Sequence, residues 1–194
     1  MTVPAEDPIP APSGDRPVLT VSLPAVASNW RTLREAAPHA EVAAVVKADA
    51  YGIGLPPIAA KLKTLGCATF FVATLDEGRS LRSLVGAPPR IFVLNGLPPG
   101  AAGAFAAHAL TPVLGCLAEI REWADAGRRP AAVHIDTGMS RAGLSPDELA
   151  ALAGDTALLR IMEELAHRLC FDASAAAAFA ADPSPATVAA LTAP

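Results

Sequence analysis

Cysteine is scarce and scattered in this 194-residue chain: Cys67, Cys116 and Cys170 are odd in number and stand outside any Cys-x-x-Cys spacing. That excludes a disulfide framework, and the three read as buried thiols of a reducing compartment. Histidines at metal-ligand spacing are missing as well, so no metal is expected, and the neighbouring His167 and Cys170 read as helix packing. No apolar run reaches the ~18 residues that a membrane helix requires. Residues 1–17 hold five prolines and three acidic residues but no apolar h-region, which excludes a secretory signal of the usual build. A short disordered leader over 1–17 and a cytoplasmic location are expected. An excess of one charge is also lacking: 15 basic residues face 19 acidic ones, interspersed, for a net charge of -4. Neither a nucleic-acid footprint nor a polybasic membrane patch fits that balance, which leaves small-molecule chemistry.

What the chain does have is apolar mass. Hydrophobic residues make up 52% and charged residues 18%, a globular composition. A chain of this length can bury roughly 70% of its unfolded surface around one core, so one domain is expected.

Apolar runs of strand length alternate with helix-period segments. Strands are predicted at 19–23 (LTVSL), 42–46, 69–73, 90–94, 110–114 and 131–135. Helices are predicted at 25–36, where Val26, Trp30 and Leu33 share a face and Pro24 suits the first helical position, and at 56–65, 76–84, 101–108 and 117–126. Gly66 and Gly127 stand where a left-handed C-terminal cap is needed. Continuous apolar strands such as AAVV and TFFVA, each followed by a helix, predict the α/β class with parallel strands covered by helices. A doubly wound sheet and a TIM-type barrel satisfy this pattern equally. From Ser145, SPDELAAL reads as a helix and 157–171 as another, while the text beyond Asp172 is Ala/Pro/Ser/Thr-rich and reads as poorly packed.

Two segments carry chemistry. AVVKADAYG, residues 44–52, sets Lys47 directly after a predicted strand. In α/β folds the carboxyl ends of strands are where ligands bind, and a desolvated lysine amine can hold an aldehyde cofactor as a Schiff base. On position alone, a lysine that snorkels to solvent from a strand end is the commoner case. VHIDTGMSRAG, residues 133–143, also follows a predicted strand and carries Arg141, a planar and permanently charged donor suited to carboxylates and phenolic oxygens.

Together these segments resemble the pyridoxal-phosphate-dependent alanine racemases: AVVKADAYG is similar to the family's cofactor-lysine signature and VHIDTGMSRAG to its DTGM-x-R-x-G segment. The resemblance spans about 18–159, with softer agreement in TFFVATLDEG, RIFVLNG and LTPVL, and leaves 160–194 as a divergent tail. It implies a partial TIM-type (β/α) barrel of five parallel strands, without the family's C-terminal β domain, to which the LTVSL strand would belong. It implies pyridoxal 5'-phosphate as cofactor. Lys47 would carry it and act as acid/base on one face of the substrate; Tyr51 would reach the cofactor phosphate; Arg141 would contact the phenolic oxygen and the substrate carboxylate. Where many members have a lysine, often carbamylated, this chain has His134, which could support Arg141 only weakly and only when neutral.

The implied activity is interconversion of L- and D-alanine for cell-wall precursors. Racemisation needs a second base on the opposite face, which the family supplies as a tyrosine from the partner subunit's C-terminal domain. The single tyrosine here, Tyr51, is already engaged. The chain is therefore expected to be truncated and impaired, or else a non-catalytic cofactor-binding protein or inactive fragment. A homodimer is expected, because open sheet edges and uncovered apolar faces favour association.

Overall fold

The computed structural model describes residues 18–127 and 130–154. The expected helix over 157–171, the tail and the leader lie outside them. The described elements run α1 (Leu23–Ala36), β1 (Ala44–Val45), α2 (Lys47–Tyr51), α3 (Leu55–Thr64), β2 (Thr69–Val72), α4 (Leu75–Val85), β3 (Arg90–Val93), α5 (Ala102–Ala107), β4 (Thr111–Leu114), α6 (Leu117–Asp125), β5 (Ala132–Val133) and α7 (Pro146–Gly154).

The five strands form one parallel sheet in the order β1-β2-β3-β4-β5. A doubly wound sheet reverses its strand order at a switch point. This one does not: each strand lies beside its predecessor, as in a barrel. The chain is thus a partial TIM-type (β/α) barrel, and the alternative left open by periodicity is settled by strand order.

Alternation along the strands separates two faces. Phe70, Val72, Ile91, Val93 and Leu114 are buried against the helices, where they meet Ile58, Leu62, Leu81, Val85, Phe105, Ile120 and Trp123. Burial of each large apolar side chain contributes about 1.5–3 kcal/mol, which makes this helix-facing layer the main source of stability. The opposite face carries Val45, Phe71 and Phe92 in register, the two rings stacked with centroids 5.1 Å apart. Gly78 lets α4 sit close on the sheet, since a Cβ there would lie 2.9 Å from Leu110 Cδ1.

At the amino ends of the strands, Arg82 donates to the carbonyls of Gly86, Pro89, His108 and Ala109, at 2.7 to 3.0 Å, and so ties together the turns that enter β3 and β4. Beside it, Glu41 accepts from the Thr69 hydroxyl at 2.5 Å and pairs with Arg90. Cys67 is buried with its thiol 3.3 Å from the Thr69 carbonyl; burial pushes that thiol above its usual range, as for an inert core cysteine. Cys116 is half-buried, and Cys170 lies outside the described residues.

One predicted element is absent. Residues 18–22 form no strand, and α1 begins at Leu23 with Ser22 as its cap, the Ser22 hydroxyl accepting from Ala25 N at 3.2 Å. The physical reason is the lack of a ladder: a lone extended segment leaves its backbone groups unpaired, and β1 pairs only with β2. The Ser-Leu-Pro text instead supplies a helix start. Within α1, Trp30 is buried and Val26 packs on the core, but Leu33 is 58% exposed. Gly66 and Gly127 take the positive φ expected of them, 85° and 101°. Among the described residues no helix is long and apolar enough to cross a membrane.

Candidate active site

Because all strands are parallel, their carboxyl ends gather at one mouth of the half-barrel. Lys47 leaves the end of β1 and the VHIDTGMSRAG segment leaves the end of β5. The sequence-predicted residues therefore share one end of the sheet but stand on its two outermost strands.

Lys47 opens a left-handed turn. Ala48, Asp49 and Ala50 have φ of 51°, 53° and 52° and ψ of 53°, 48° and 49°, and Tyr51 continues with φ 57°. These are ideal left-handed helical angles, which cost a residue with a Cβ roughly 1–2 kcal/mol each. Such a turn persists only where its surroundings over-determine it. Here the surroundings are specific. Ala50 is buried and its N–H donates to Val46 O at 3.0 Å. Asp49 Oδ1 accepts from Leu55 N at 2.6 Å, which pins the turn to the start of α3, and Gly52 closes it with an N–H to Ala48 O at 2.9 Å. From the next βα unit, Glu77 Oε1 accepts the Ala48 N–H at 2.9 Å while Oε2 holds Ala73 N at 2.7 Å.

The turn brings Lys47 and Tyr51 together: the Lys47 Nζ lies 5.9 Å from the Tyr51 ring centroid. Lys47 is half-buried, and no carboxylate among the described residues pairs with it. A lysine amine in its unprotonated form can act as a nucleophile toward a carbonyl carbon. Tyr51 is 64% exposed, with its ring at the rim.

At the other side, β5 continues past Val133 into a loop with a closed neck. His134 N donates to Leu114 O at 2.8 Å; Leu144 N donates to His134 O at 2.8 Å and Asp136 N to Leu144 O at 3.0 Å. Inside the neck, Asp136 Oδ1 accepts from Gly138 N and Ser140 N, both at 3.0 Å. These two N–H groups hold the Asp136 carboxyl below its usual range. Gly143, at φ 103°, lets the chain pass the His134 ring: a Cβ there would lie 2.8 Å from Asp136 N and 3.0 Å from His134 Cδ2. Arg141 stands exposed on this loop with no ion pair among the described residues. His134 thus lies beneath the loop, against Gly143, and no hydrogen bond joins it to Arg141; Asp136 is what shapes the segment.

Three side chains that hold these segments in shape escape a reading of the motifs alone: Asp49, Glu77 and Asp136. For Glu77 the Thr-x-x-Glu text at 74–77 signals a capping box, which the structure has, with Glu77 N 3.3 Å from the Thr74 hydroxyl. Nothing in that signal foretells the bond to Ala48.

Sequential parallel winding, with both chemistry-bearing segments at the carboxyl mouth of the strands, is the arrangement of a (β/α)-barrel protein that works at that mouth. Residues 21–188 match the family model of the alanine racemase N-terminal domain, and the chain belongs to that family. It is 53% identical over 153 residues to an alanine racemase of Methylobacterium sp. (strain 4-46), covering 76% of this chain and 41% of that protein. In structure it is similar to the alanine racemase of Bartonella henselae with covalently bound pyridoxal phosphate (TM-score 0.69, 34% identity, 73% of this chain and 42% of that one). It is similar too to a histidine racemase of Leuconostoc mesenteroides subsp. sake (TM-score 0.62, 30% identity, 72% and 37%). The chain spans about two fifths of the length of these relatives.

Proposed function

We propose that this chain is the cofactor-lysine portion of a pyridoxal-phosphate-dependent alanine racemase, an isomerase that interconverts L- and D-alanine in the cytoplasm for cell-wall precursors and works as a homodimer. The observation that carries the reading is the unpaired Lys47 amine, held at the mouth of β1 by a left-handed turn inside the family's lysine motif.

The residues present fit the cofactor. Lys47 is a half-buried primary amine with no carboxylate ion pair among the described residues, and a primary amine in its unprotonated form is the group that condenses with an aldehyde. Pyridoxal phosphate, when bound, supplies the electron sink that stabilises the charge left on an α-carbon after proton removal. Lys47 would hold it and move a proton at Nζ on one face of the substrate; Tyr51 would donate its hydroxyl to the phosphate. Arg141, on the loop braced by Asp136, would offer its guanidinium fork to the phenolic oxygen and to the substrate carboxylate.

For the chain on its own, one observation favours binding without turnover. The opposite face of the substrate needs a second base, and the one tyrosine within these 194 residues is Tyr51. Alanine is the proposed substrate on the strength of the relatives' activity. The likeness to a histidine racemase makes the half-barrel itself compatible with other side chains.

The test is two measurements on one sample of the chain loaded with pyridoxal phosphate. Absorbance of the lysine–cofactor linkage, abolished by Lys47→Ala, is expected; its absence refutes the reading. Optical rotation or a coupled assay with L-alanine then separates a racemase from a cofactor-binding protein.

A further inference from the structure

We infer that Glu77 is a positioning residue: its carboxylate, by holding the Ala48 N–H, sets the direction in which Lys47 points. The inference rests on the assignment of Lys47 as the cofactor lysine and goes beyond it to the group that aims the amine.

Glu77 stands at the third position of α4, where a glutamate ordinarily closes the helix's own cap. It does that here, with Oε2 accepting from Thr74 N at 3.3 Å and from Ala73 N at 2.7 Å. Its other oxygen does something a cap does not require. It crosses from the β2–α4 unit to the β1 unit and accepts Ala48 N at 2.9 Å, 29 residues away in sequence.

The corresponding glutamates of the later units behave differently. Glu119 of α6 accepts Gly115 N at 2.7 Å, and Glu148 of α7 accepts the N–H and hydroxyl of Ser145, both at 2.9 Å; each of these bonds stays within its own βα unit. Further along α6, Glu122 also reaches back one unit, to Gly100 N at 2.8 Å, but no chemistry-bearing lysine stands there. Among the three cap glutamates the hydrogen bond that crosses between units belongs to Glu77.

Its target is the peptide N–H immediately after Lys47, at the first residue of the left-handed turn. A residue with a Cβ adopts that conformation only under constraint, and Lys47 takes its direction from the backbone it stands on. Opposite Glu77, the turn is held by Asp49 on Leu55 N. The two carboxylates clamp it between α4 and α3. If the Glu77 bond is lost, Ala48 can relax toward negative φ, and the Lys47 amine turns away from the mouth of the strands.

A simple structural role would predict that any weakening of the α4 cap has the same effect. The experiment therefore compares Glu77→Gln and Glu77→Asp with Thr74→Ala in the full chain. Glutamine can accept through one atom only, so it cannot serve both the cap and Ala48; aspartate keeps the charge but lacks the reach. Thr74→Ala damages the cap and leaves the crossing bond.

Two readouts are taken: amide hydrogen exchange at Ala48 without cofactor, and affinity for pyridoxal phosphate from the linkage absorbance. In both Glu77 variants, Ala48 exchange is expected to rise and affinity to fall roughly tenfold or more, the effect of losing one charge-assisted hydrogen bond. Thr74→Ala should change neither once its lower thermal stability is allowed for. Glu77 variants with wild-type affinity and exchange would overturn the inference alone, as would a Thr74→Ala loss equal to theirs. Aspartate keeps the experiment decisive if the glutamine variant does not fold. Wild-type chain that forms no linkage at all would overturn the functional reading, and this inference with it.

Discussion

The Nζ of Lys47 lies 5.9 Å from the centre of the Tyr51 ring, across a turn in which four successive residues with a Cβ have positive φ. Ordinary helical φ/ψ would place residues four apart on one face by right-handed winding; here left-handed winding does so. The consequence is a lysine and a tyrosine presented side by side at a rim. If Tyr51 serves the cofactor phosphate with its hydroxyl, Tyr51→Phe should keep the ring, leave the Lys47 linkage intact and weaken pyridoxal phosphate binding by roughly tenfold, the worth of a hydrogen bond to a charged group. Titration of the linkage absorbance measures this, and an unchanged affinity would remove Tyr51 from the site.

Asp136 offers a pH test. Its carboxyl is held below the usual range by the N–H groups of Gly138 and Ser140. A group with a depressed folded pKa contributes stability that is fully present above its unfolded value, near 3.8, and is lost as pH falls through the lower folded value. The loop carrying Arg141 is therefore expected to stay ordered down to the ordinary carboxylate range and to loosen only below it. In Asp136→Asn, which accepts more weakly, the Gly138 and Ser140 amides should exchange faster at neutral pH and lose that acid dependence. Amide exchange followed by NMR against pH checks both statements.

Arg82 offers a contrast, since it works at the opposite end of the strands. Its guanidinium serves four carbonyls at once, a fork that an ammonium cannot reproduce. Both Arg82→Lys and Arg82→Ala should destabilise the fold, the alanine variant by roughly 2–3 kcal/mol. Cofactor affinity of the folded protein should be unchanged. Denaturant unfolding set beside the linkage titration measures the two, and a coupled loss of affinity would contradict the separation of the two ends.

The sequence makes much of this legible, and the exceptions have physical causes. The strands β2 to β4 and the helices α3 to α6 lie within a residue or two of their predicted spans, because continuous apolar runs and glycine stops such as Gly66 are local signals. The LTVSL segment carries an equally good strand pattern and forms none, because a strand is completed by its neighbour and not by its own residues. Leu33 fits the helical period of Trp30 yet points to solvent, since periodicity marks a face without saying what covers it. At the candidate site, the two motifs that carry Lys47, Tyr51 and Arg141 are legible because they are compact, and the strand order sets both at one end of the sheet. The left-handed turn between Lys47 and Tyr51 is not, because Ala48 and Ala50 have no intrinsic preference for it, and Asp49 tolerates it only as a single residue. Tertiary bonds impose it, above all the one from Glu77 at a separation of 29 residues. Asp136 stood inside a recognised motif, but its work on Gly138 and Ser140 emerges only when the loop closes.

The most direct test of the account is where pyridoxal phosphate attaches. The full chain is incubated with the cofactor, reduced with borohydride, digested and mapped by mass spectrometry. One label, on Lys47, lost in Lys47→Ala and not transferred to Lys61 or Lys63, is the expected result. A label spread over the surface lysines, or Lys47 left unmodified, would contradict the account.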